Sequence, residues 1–338
     1  MRCIIVFTRF LSKTGVIFLF VGVLTSCTVT AAGEGTQTPL ATGISGARLY
    51  VEPDDGVQPV VQFIENAHQT LDVAMYLLSD RTVVAALIAA ENRGTRVRVL
   101  LEENPYGTGP GNASVEAQLR DARIATGWSP TTFQLSHDKY AISDGKAALV
   151  GTANWTHSAF TSNREYVLVV DAPADVAQLE TLFNADWNRQ PVQLVDANLV
   201  ISPLNSRRDF VGLIDSAKST IDVEAEEMQD GGVEDALTRA VKRHVNVRVI
   251  LPSAQGRDAN APGRDRISAS GVQVRILHSP YVHAKDIVVD GREAFVGSEN
   301  ISTPSLDLNR EVGLFVEDKS VIGRLVDTFG RDWTAAQP

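Results

Sequence analysis

The sequence predicts two tandem, similar α/β domains, each an α/β/α sandwich with a mixed sheet flanked by helices. Three observations predict this: segments recur along the chain, strand-like and helix-like stretches alternate within each copy, and 338 residues are enough for two ordinary domains. "LYVEPDDG" (49–56) matches "LVISPLNS" (199–206), "TLDVAMY" (70–76) matches "TIDVEAE" (220–226), and "VRVLL" (97–101) matches "VRVIL" (247–251), all at an offset of 150. Self-similarity at a fixed offset marks a duplicated structural unit.

Each copy opens with a short β-branched strand and continues with an amphipathic helix, "QPVVQFIENAHQ" in the first. A second strand, a second helix ("RTVVAALIAAENRG") and the strand "VRVLL" follow. Such alternation implies crossover connections and a sheet covered by helices. "ENRGTRV" and "VKRHVNV" bring cations to the ends of their helices, where the helix dipole favours them. The domains are expected at 46–195 and 196–338, meeting near residues 190–196.

Residues 1–26 stand outside that pattern. Arg2, Arg9 and Lys13 precede the apolar run "VIFLFVGVL", which reads as an export signal. "LTSC", ending at Cys27, resembles a bacterial lipobox, in which cleavage precedes a cysteine that receives diacylglycerol. The expected mature protein is exported and held on the bacterial cell membrane through Cys27, with 27–45 as a polar tether. An uncleaved anchor, or ordinary cleavage near "TAA" giving a secreted or periplasmic protein, are the alternatives. Cys3 and Cys27 are the two cysteines, so cleavage leaves no internal disulfide. Losing the three signal cations takes the formal charge from -10 to -13. That balance disfavours nonspecific nucleic-acid binding, which depends on clustered Lys and Arg.

The chemistry concentrates in "HDKYAISD" (137–144) and "HAKDIVVD" (283–290). Their offset is 146, so the second copy is about four residues shorter in the loop before its motif, where deletions are tolerated. Asp144-Gly145 and Asp290-Gly291 sit between alternating apolar segments, a two-residue hairpin signal. Such a hairpin sets His137 opposite Thr152 and His283 opposite Ser298. His137, Lys139, Thr152 and Asn154 then share one face, as do His283, Lys285, Ser298 and Asn300. An ammonium and amide N–H groups complement oxyanion charge, and an imidazole serves as nucleophile or proton carrier, so each patch suits a phosphoryl group. Asp144 and Asp290 lie at the turn, where bonding backbone competes with a catalytic role.

These residues resemble the phospholipase D superfamily, whose signature is His-x-Lys-x4-Asp followed by Gly-Ser/Thr-x-Asn. Both parts occur twice, the second as "GTANW" (151–155) and "GSEN" (297–300), and the family's downstream "NRE" recurs at 163–165 and 309–311. The resemblance spans roughly residues 46–338. It implies two lobes related by a pseudo-twofold axis, with both motifs meeting in one active site that needs no metal or cofactor.

It further implies that His137 attacks phosphorus to give a phosphohistidine while His283 acts as general acid and then base, although the symmetry permits the reverse. Lys139, Lys285, Asn154 and Asn300 would hold nonbridging oxygens, assisted by Thr152 and Ser298. Glu165 and Glu311 would accept the second ring N–H of the histidines. Asp144 and Asp290 complete the family's catalytic signature. Two departures are Ser143, where an aliphatic residue is usual, and Thr152 in place of serine.

The other histidines carry less. His68 and His244 read as surface residues, while His157 and His278 flank the motifs as cleft-lining or ordinary loop positions. The acidic run "EAEEMQD" (224–230) invites a metal site through Glu224, Glu226 and Glu227, but its position at a strand end favours a cleft wall that repels anions or selects a cationic headgroup. The loops "EENPYGTGPGNAS" and "PSAQGRDANAPG" would form the cleft rims.

The expected activity is hydrolysis of a glycerophospholipid to phosphatidate and a headgroup alcohol by a monomeric protein beside its membrane substrate. A cardiolipin synthase-like transphosphatidylase, a metal-independent endonuclease and a non-catalytic surface binding protein are the alternatives.

Overall fold

The computed structural model describes residues 46–106, 111–193, 195 and 198–338. The export signal, Cys27 and the tether lie outside these residues. The first repeat runs β1 (Arg48–Glu52), α1 (Gln58–Glu65), β2 (Thr70–Met75), α2 (Arg81–Asn92), β3 (Arg96–Leu101), α3 (Ala113–Asp121), β4 (Ala125–Trp128), β5 (Lys139–Ser143), β6 (Ala147–Gly151), α4 (His157–Thr161), β7 (Asn163–Val170) and α5 (Pro173–Trp187). The second runs β8 (Leu199–Ser202), α6 (Ser206–Ser216), β9 (Thr220–Ala225), β10 (Met228–Gln229), α7 (Gly231–Lys242), β11 (Asn246–Pro252), α8 (Ala261–Ala269), β12 (Gln273–Leu277), β13 (Tyr281–Val282), β14 (Lys285–Val289), β15 (Glu293–Gly297), β16 (Ile301–Ser302), α9 (Thr303–Asp307), β17 (Glu311–Val316) and α10 (Lys319–Ala335).

The sheets repeat one topology, β1-β7-β6-β5-β2-β3-β4 and β8-β17-β15-β14-β9-β11-β12. In each, three strands pair in parallel through crossover helices and the rest are antiparallel, the mixed sheet that the alternation predicts. The crossover helices begin on matched caps. Asp80 accepts from Thr82 N and Val83 N, and Asp230 from Gly232 N and Val233 N, satisfying donors that the first helical turn leaves free. Arg93 and Arg243 each follow a helix end and donate to carbonyls of the neighbouring helix, Ile64 O and Ile214 O.

Three apolar clusters set the layers. One belongs to the first repeat, under α1 and α2, and one to the second, under α6 and α7. The third is shared: Tyr140, Tyr166 and Phe183 pack in the same cluster as Leu199, Ile250 and Phe329. Because α5 and α10 both contribute to this shared cluster, neither repeat has a complete inner face alone. In each repeat an Arg–Asp pair, Arg98–Asp72 and Arg248–Asp222 at 2.7 Å, lies beside the aromatics of that helix. The guanidinium of Arg98 sits 4.8 Å from the Phe183 ring, and that of Arg248 sits 4.8 Å from Phe329.

The hairpins depart from the expected register. Asp144 and Gly145 do adopt positive φ, 55° and 62°, and Lys146 N donates to Ser143 O, closing the Asp-Gly turn. Pairing, however, resumes one residue later, with Ser143 opposite Ala147 and Tyr140 opposite Val150. The second copy matches, with Val289 opposite Glu293. Lys146 and Arg292 are the additional residues, and they break the predicted facing of His137 with Thr152 and of His283 with Ser298.

The motif aspartates tie this turn to the loop beside it. Asp144 accepts from the backbone N–H groups of His68, Gln69 and Thr70, and Asp290 from those of Lys218, Ser219 and Thr220. These donors belong to a neighbouring segment, not to the turn's own backbone. At the opposite edge of the same hairpin, Gly297 pairs with Gly313, and a Cβ on Gly313 would meet the Phe295 ring at 2.2 Å.

Two stability outcomes follow. Gly313→Ala should lower unfolding free energy by about 1–3 kcal/mol, the usual cost of overpacking, in a denaturant titration. Backbone donors hold the Asp290 carboxyl down at about 2 against burial, below its ordinary 3.8. The associated stability is present above pH 3.8 and is lost as pH falls through about 2. Asp290→Asn should therefore melt below the parent at neutral pH, with the gap closing across that acid window.

Candidate active site

Lys139 and Lys285 open β5 and β14, opposite Met75 and Ala225 at the C-terminal ends of the parallel strands β2 and β9. Open α/β sheets gather ligands at this edge. The histidines stand two residues earlier, where each chain leaves its own sheet and pairs with the other repeat. His137 N donates to Arg310 O at 2.8 Å, and His283 N donates to Arg164 O at 3.2 Å. β13 pairs with the start of β7 in parallel, setting Val282 beside Arg164.

That cross-pairing delivers each glutamate to the other repeat's histidine. His137 Nδ1 lies 2.7 Å from Glu311 Oε2, and His283 Nδ1 lies 2.8 Å from Glu165 Oε2. The glutamates are themselves braced: Asn309 and Ser305 donate to Glu311 Oε1, while Asn163 donates to Glu165 Oε1 and Thr152 Oγ1 donates to Glu165 Oε2. The arginine of each "NRE" segment crosses as well. Arg164 Nε reaches Asp332 at 2.5 Å, and Arg310 Nε reaches Asp186 at 3.0 Å. These four side chains are buried, so the two ion pairs hold the repeats in one relative position.

Lys139 is 1% exposed, and its Nζ donates to His137 O at 2.7 Å. Burial lowers it to about 7, opposed by Glu311. Lys285 Nζ donates to His283 O and to Glu226 Oε2, both at 2.7 Å. Burial, reinforced by Lys139, Lys285 and His283, keeps His137 well below the ordinary histidine value. Burial also raises Glu311 to about 7, with Lys139, Asn309 and Ser305 opposing. Both lysines and both histidines thus interact in one cluster assembled from the two halves.

Asn154 and Asn300 follow β6 and β15, and each has a buried Oδ1 without a hydrogen-bond partner. Thr152 and Ser298 are fully buried behind the cluster. The Thr152 hydroxyl accepts from Tyr166 N in addition to holding Glu165, and Ser298 Oγ accepts from Val312 N. Their hydroxyls brace the "NRE" strands. Asp144 and Asp290 are not brought into the cluster, because β5 and β14 carry them away from the lysines, about 17 Å over five residues. His68, His157, His244 and His278 are exposed.

The acidic run divides. Glu224 accepts from the Tyr166 hydroxyl at 2.5 Å inside the shared core, and burial raises it to about 8. Glu226 enters the cluster, 3.3 Å from His283 Nε2. Burial raises Glu227, which bonds to Ser302. Among the described residues, no group of three or more His, Cys, Asp or Glu is arranged to hold a metal ion.

Sequence reasoning missed Ser305 and Tyr76. Ser305 lies in α9, outside any motif, and nothing in its local sequence marks it. Tyr76 occupies in the first repeat the position of Glu226 in the second, a signal the 150-residue alignment already contained. Its ring meets that of His137 edge-on at 4.5 Å, and the Lys139 ammonium lies 5.0 Å from its centre.

The family described as cardiolipin synthase, PLD-like domain, matches the chain twice, at residues 60–187 and 210–333. A cardiolipin synthase of Oceanobacillus iheyensis is 25% identical over 329 residues, covering 85% of this chain and 68% of that protein. A mitochondrial cardiolipin hydrolase of Xenopus laevis is 32% identical over 121 residues, covering 36% of this chain and 56% of that one. Among solved structures, polyphosphate kinase of Porphyromonas gingivalis superposes with a TM-score of 0.69 at 18% identity, over 84% of this chain and 46% of that chain. The last likeness concerns fold alone. Both halves carry the family match and both contribute to the histidine cluster, so the chain belongs to the phospholipase D superfamily as a phosphodiester-acting enzyme built from two PLD-like domains.

Proposed function

We propose that the protein acts on the headgroup phosphodiester of a glycerophospholipid through a phosphohistidine, with water as the acceptor. The observation that carries this reading is the unequal surroundings of two otherwise matched histidines. His137 has one carboxylate in direct contact, Glu311 at Nδ1, with an aromatic edge, lysines and the more distant charge of Glu226 around it. With its Nδ1–H donated to Glu311, the neutral ring presents the Nε2 lone pair of a nucleophile. His283 has a carboxylate at each nitrogen, Glu165 at Nδ1 and Glu226 at Nε2. Those two contacts place His283 to exchange a proton at Nε2.

In the first step His137 Nε2 forms a bond to phosphorus, the bond from phosphorus to the headgroup oxygen breaks, and His283 Nε2 protonates that oxygen. Water then attacks phosphorus, His283 takes its proton, and the phosphorus–nitrogen bond breaks to release phosphatidate. Lys139 and Lys285 would offset the charge of the nonbridging oxygens in both steps, and the amide N–H groups of Asn154 and Asn300 would donate to them. An exported protein anchored through Cys27 would meet this substrate at a membrane surface. Transfer to an alcohol in place of water is the second reading, favoured by the cardiolipin synthase relative and by the family description.

The leaving group separates the histidine roles. On a nitrophenyl phosphodiester, whose leaving group needs little protonation, His283→Ala and Glu165→Gln should retain a rapid burst of nitrophenol stoichiometric with enzyme and then stall, whereas His137→Ala and Glu311→Gln should lose at least about 100-fold in the rate of that burst. On phosphatidylglycerol all four should be slow. The acid limb of kcat/KM should lie below pH 6.5, because protonation of His137 removes its lone pair. A reversed pattern of losses would overturn the assignment.

Acceptor choice can be read in one incubation of soluble protein with phosphatidylglycerol vesicles, chelator and a primary alcohol. Phosphatidate alone supports hydrolysis, while a phosphatidyl alcohol supports transfer. Cleavage of single-stranded DNA with no change in either lipid would reject the lipid reading.

A further inference from the structure

Glu226 is a charged group in contact with the histidine–lysine cluster that has no charged counterpart in the other repeat, where Tyr76 stands. A single carboxylate oxygen, Oε2, touches Lys285 Nζ at 2.7 Å and approaches His283 Nε2 at 3.3 Å. Under the proposed mechanism, these two atoms neutralise a phosphoryl oxygen and exchange a proton with the alcohol. The carboxylate therefore stands where substrate oxygens must go.

It is held there electrostatically. Burial pushes Glu226 up, but His283, Lys285 and His137 outweigh that and hold it at about 2, so it is an anion throughout the neutral range. An incoming phosphodiester competes for the same cations, and two anions on one lysine repel. Glu226 is the member free to yield, because 22% of its side chain is exposed while Lys285 is 1% exposed. Its backbone is fixed, with Glu226 N donating to Ala284 O at 3.1 Å just beyond β9, so the motion is confined to side-chain torsions. Displaced from Lys285, a carboxylate on this short tether remains on the His283 side of the cluster. That is the side on which the alcohol leaves or enters, where the Tyr281 hydroxyl bonds to Glu226 and Glu227 also adjoins.

We propose that Glu226 is a displaceable carboxylate that reads the alcohol half of the phosphodiester, selecting an alcohol that carries a further hydrogen-bond donor, hydroxyl or ammonium, and no second anion. The proposal rests on the phosphodiesterase reading and names its substrate class. In the empty site Glu226 occupies the oxygen positions. In the occupied site it accepts a hydrogen bond from the alcohol, beyond the reacting oxygen. The first repeat has the uncharged phenol of Tyr76 at this position, whose oxygen accepts from Tyr106 N at 2.6 Å.

The test compares the parent with Glu226→Gln on short-chain phosphatidylglycerol, phosphatidylethanolamine and phosphatidylmethanol. The last has no donor beyond the ester oxygen. A hydrogen bond to a charged acceptor corresponds to about 10- to 100-fold, so the parent should prefer the first two by that ratio in kcat/KM, and Glu226→Gln should compress it to within about threefold. Preference for the glycerol headgroup alone identifies the donor as hydroxyl, and for ethanolamine alone as ammonium. An equal ratio in the two proteins overturns the proposal.

Binding of glycerol 1-phosphate and methyl phosphate, followed by calorimetry, separates this idea from the catalytic reading. If neither protein turns over lipid, yet the parent prefers glycerol 1-phosphate and Glu226→Gln does not, the carboxylate's role stands and the phosphodiesterase reading falls. Failure of the parent to discriminate in either assay overturns the role of Glu226.

Discussion

The exchange of glutamates between repeats is the constraint on which the site depends. Each histidine is carried by one repeat and oriented by the other, through Glu311 for His137 and Glu165 for His283. An imidazole used at Nε2 needs its Nδ1 proton fixed, and a carboxylate at 2.7 or 2.8 Å does so. Neither half can orient its own ring, so separation of the repeats would dismantle both at once. The buried pairs Arg164–Asp332 and Arg310–Asp186 secure that arrangement. Each links the residue adjoining an orienting glutamate to the long inner helix of the opposite repeat.

Symmetry of this kind makes a cluster but does not divide labour within it. Two identical histidines facing one phosphorus would have no reason for one to attack and the other to protonate. Under the proposed mechanism, the difference would come from the residue just beyond β2 and β9, Tyr76 in one repeat and Glu226 in the other. A tyrosine edge beside His137 adds an apolar wall, while a carboxylate beside His283 adds a negative charge. Desolvation and Coulombic attraction act in opposite directions on an imidazolium, so one substitution between the copies separates the two environments. The histidines themselves need not change.

The fold explains why substrate is harder to name than chemistry. The same fold occurs in a polyphosphate kinase at 18% identity, so the fold by itself names no substrate. The chain also spans 68% of the O. iheyensis protein and 56% of the X. laevis protein, so segments of those relatives have no counterpart in this alignment.

Much of the site is legible in the sequence. Periodicity placed the strands and crossover helices, the fixed offset revealed the duplication, and the motif spacing identified His137, Lys139, His283 and Lys285. The hairpin register was not legible, because an Asp-Gly turn fixes the reversal but does not show that Lys146 and Arg292 stand outside the ladder. That one-residue difference removed the predicted facing of the hydroxyls, which brace the "NRE" strands instead. The crossing of Glu165 and Glu311 was equally hidden, since each lies within its own repeat's motif set and local spacing cannot say which histidine it will meet. Sequence by itself determined the chemical groups and their duplication, because these depend on residue identity and short-range pattern. Tertiary structure decided which half serves which, because that depends on the shared core and buried ion pairs that bring residues more than 100 positions apart into contact.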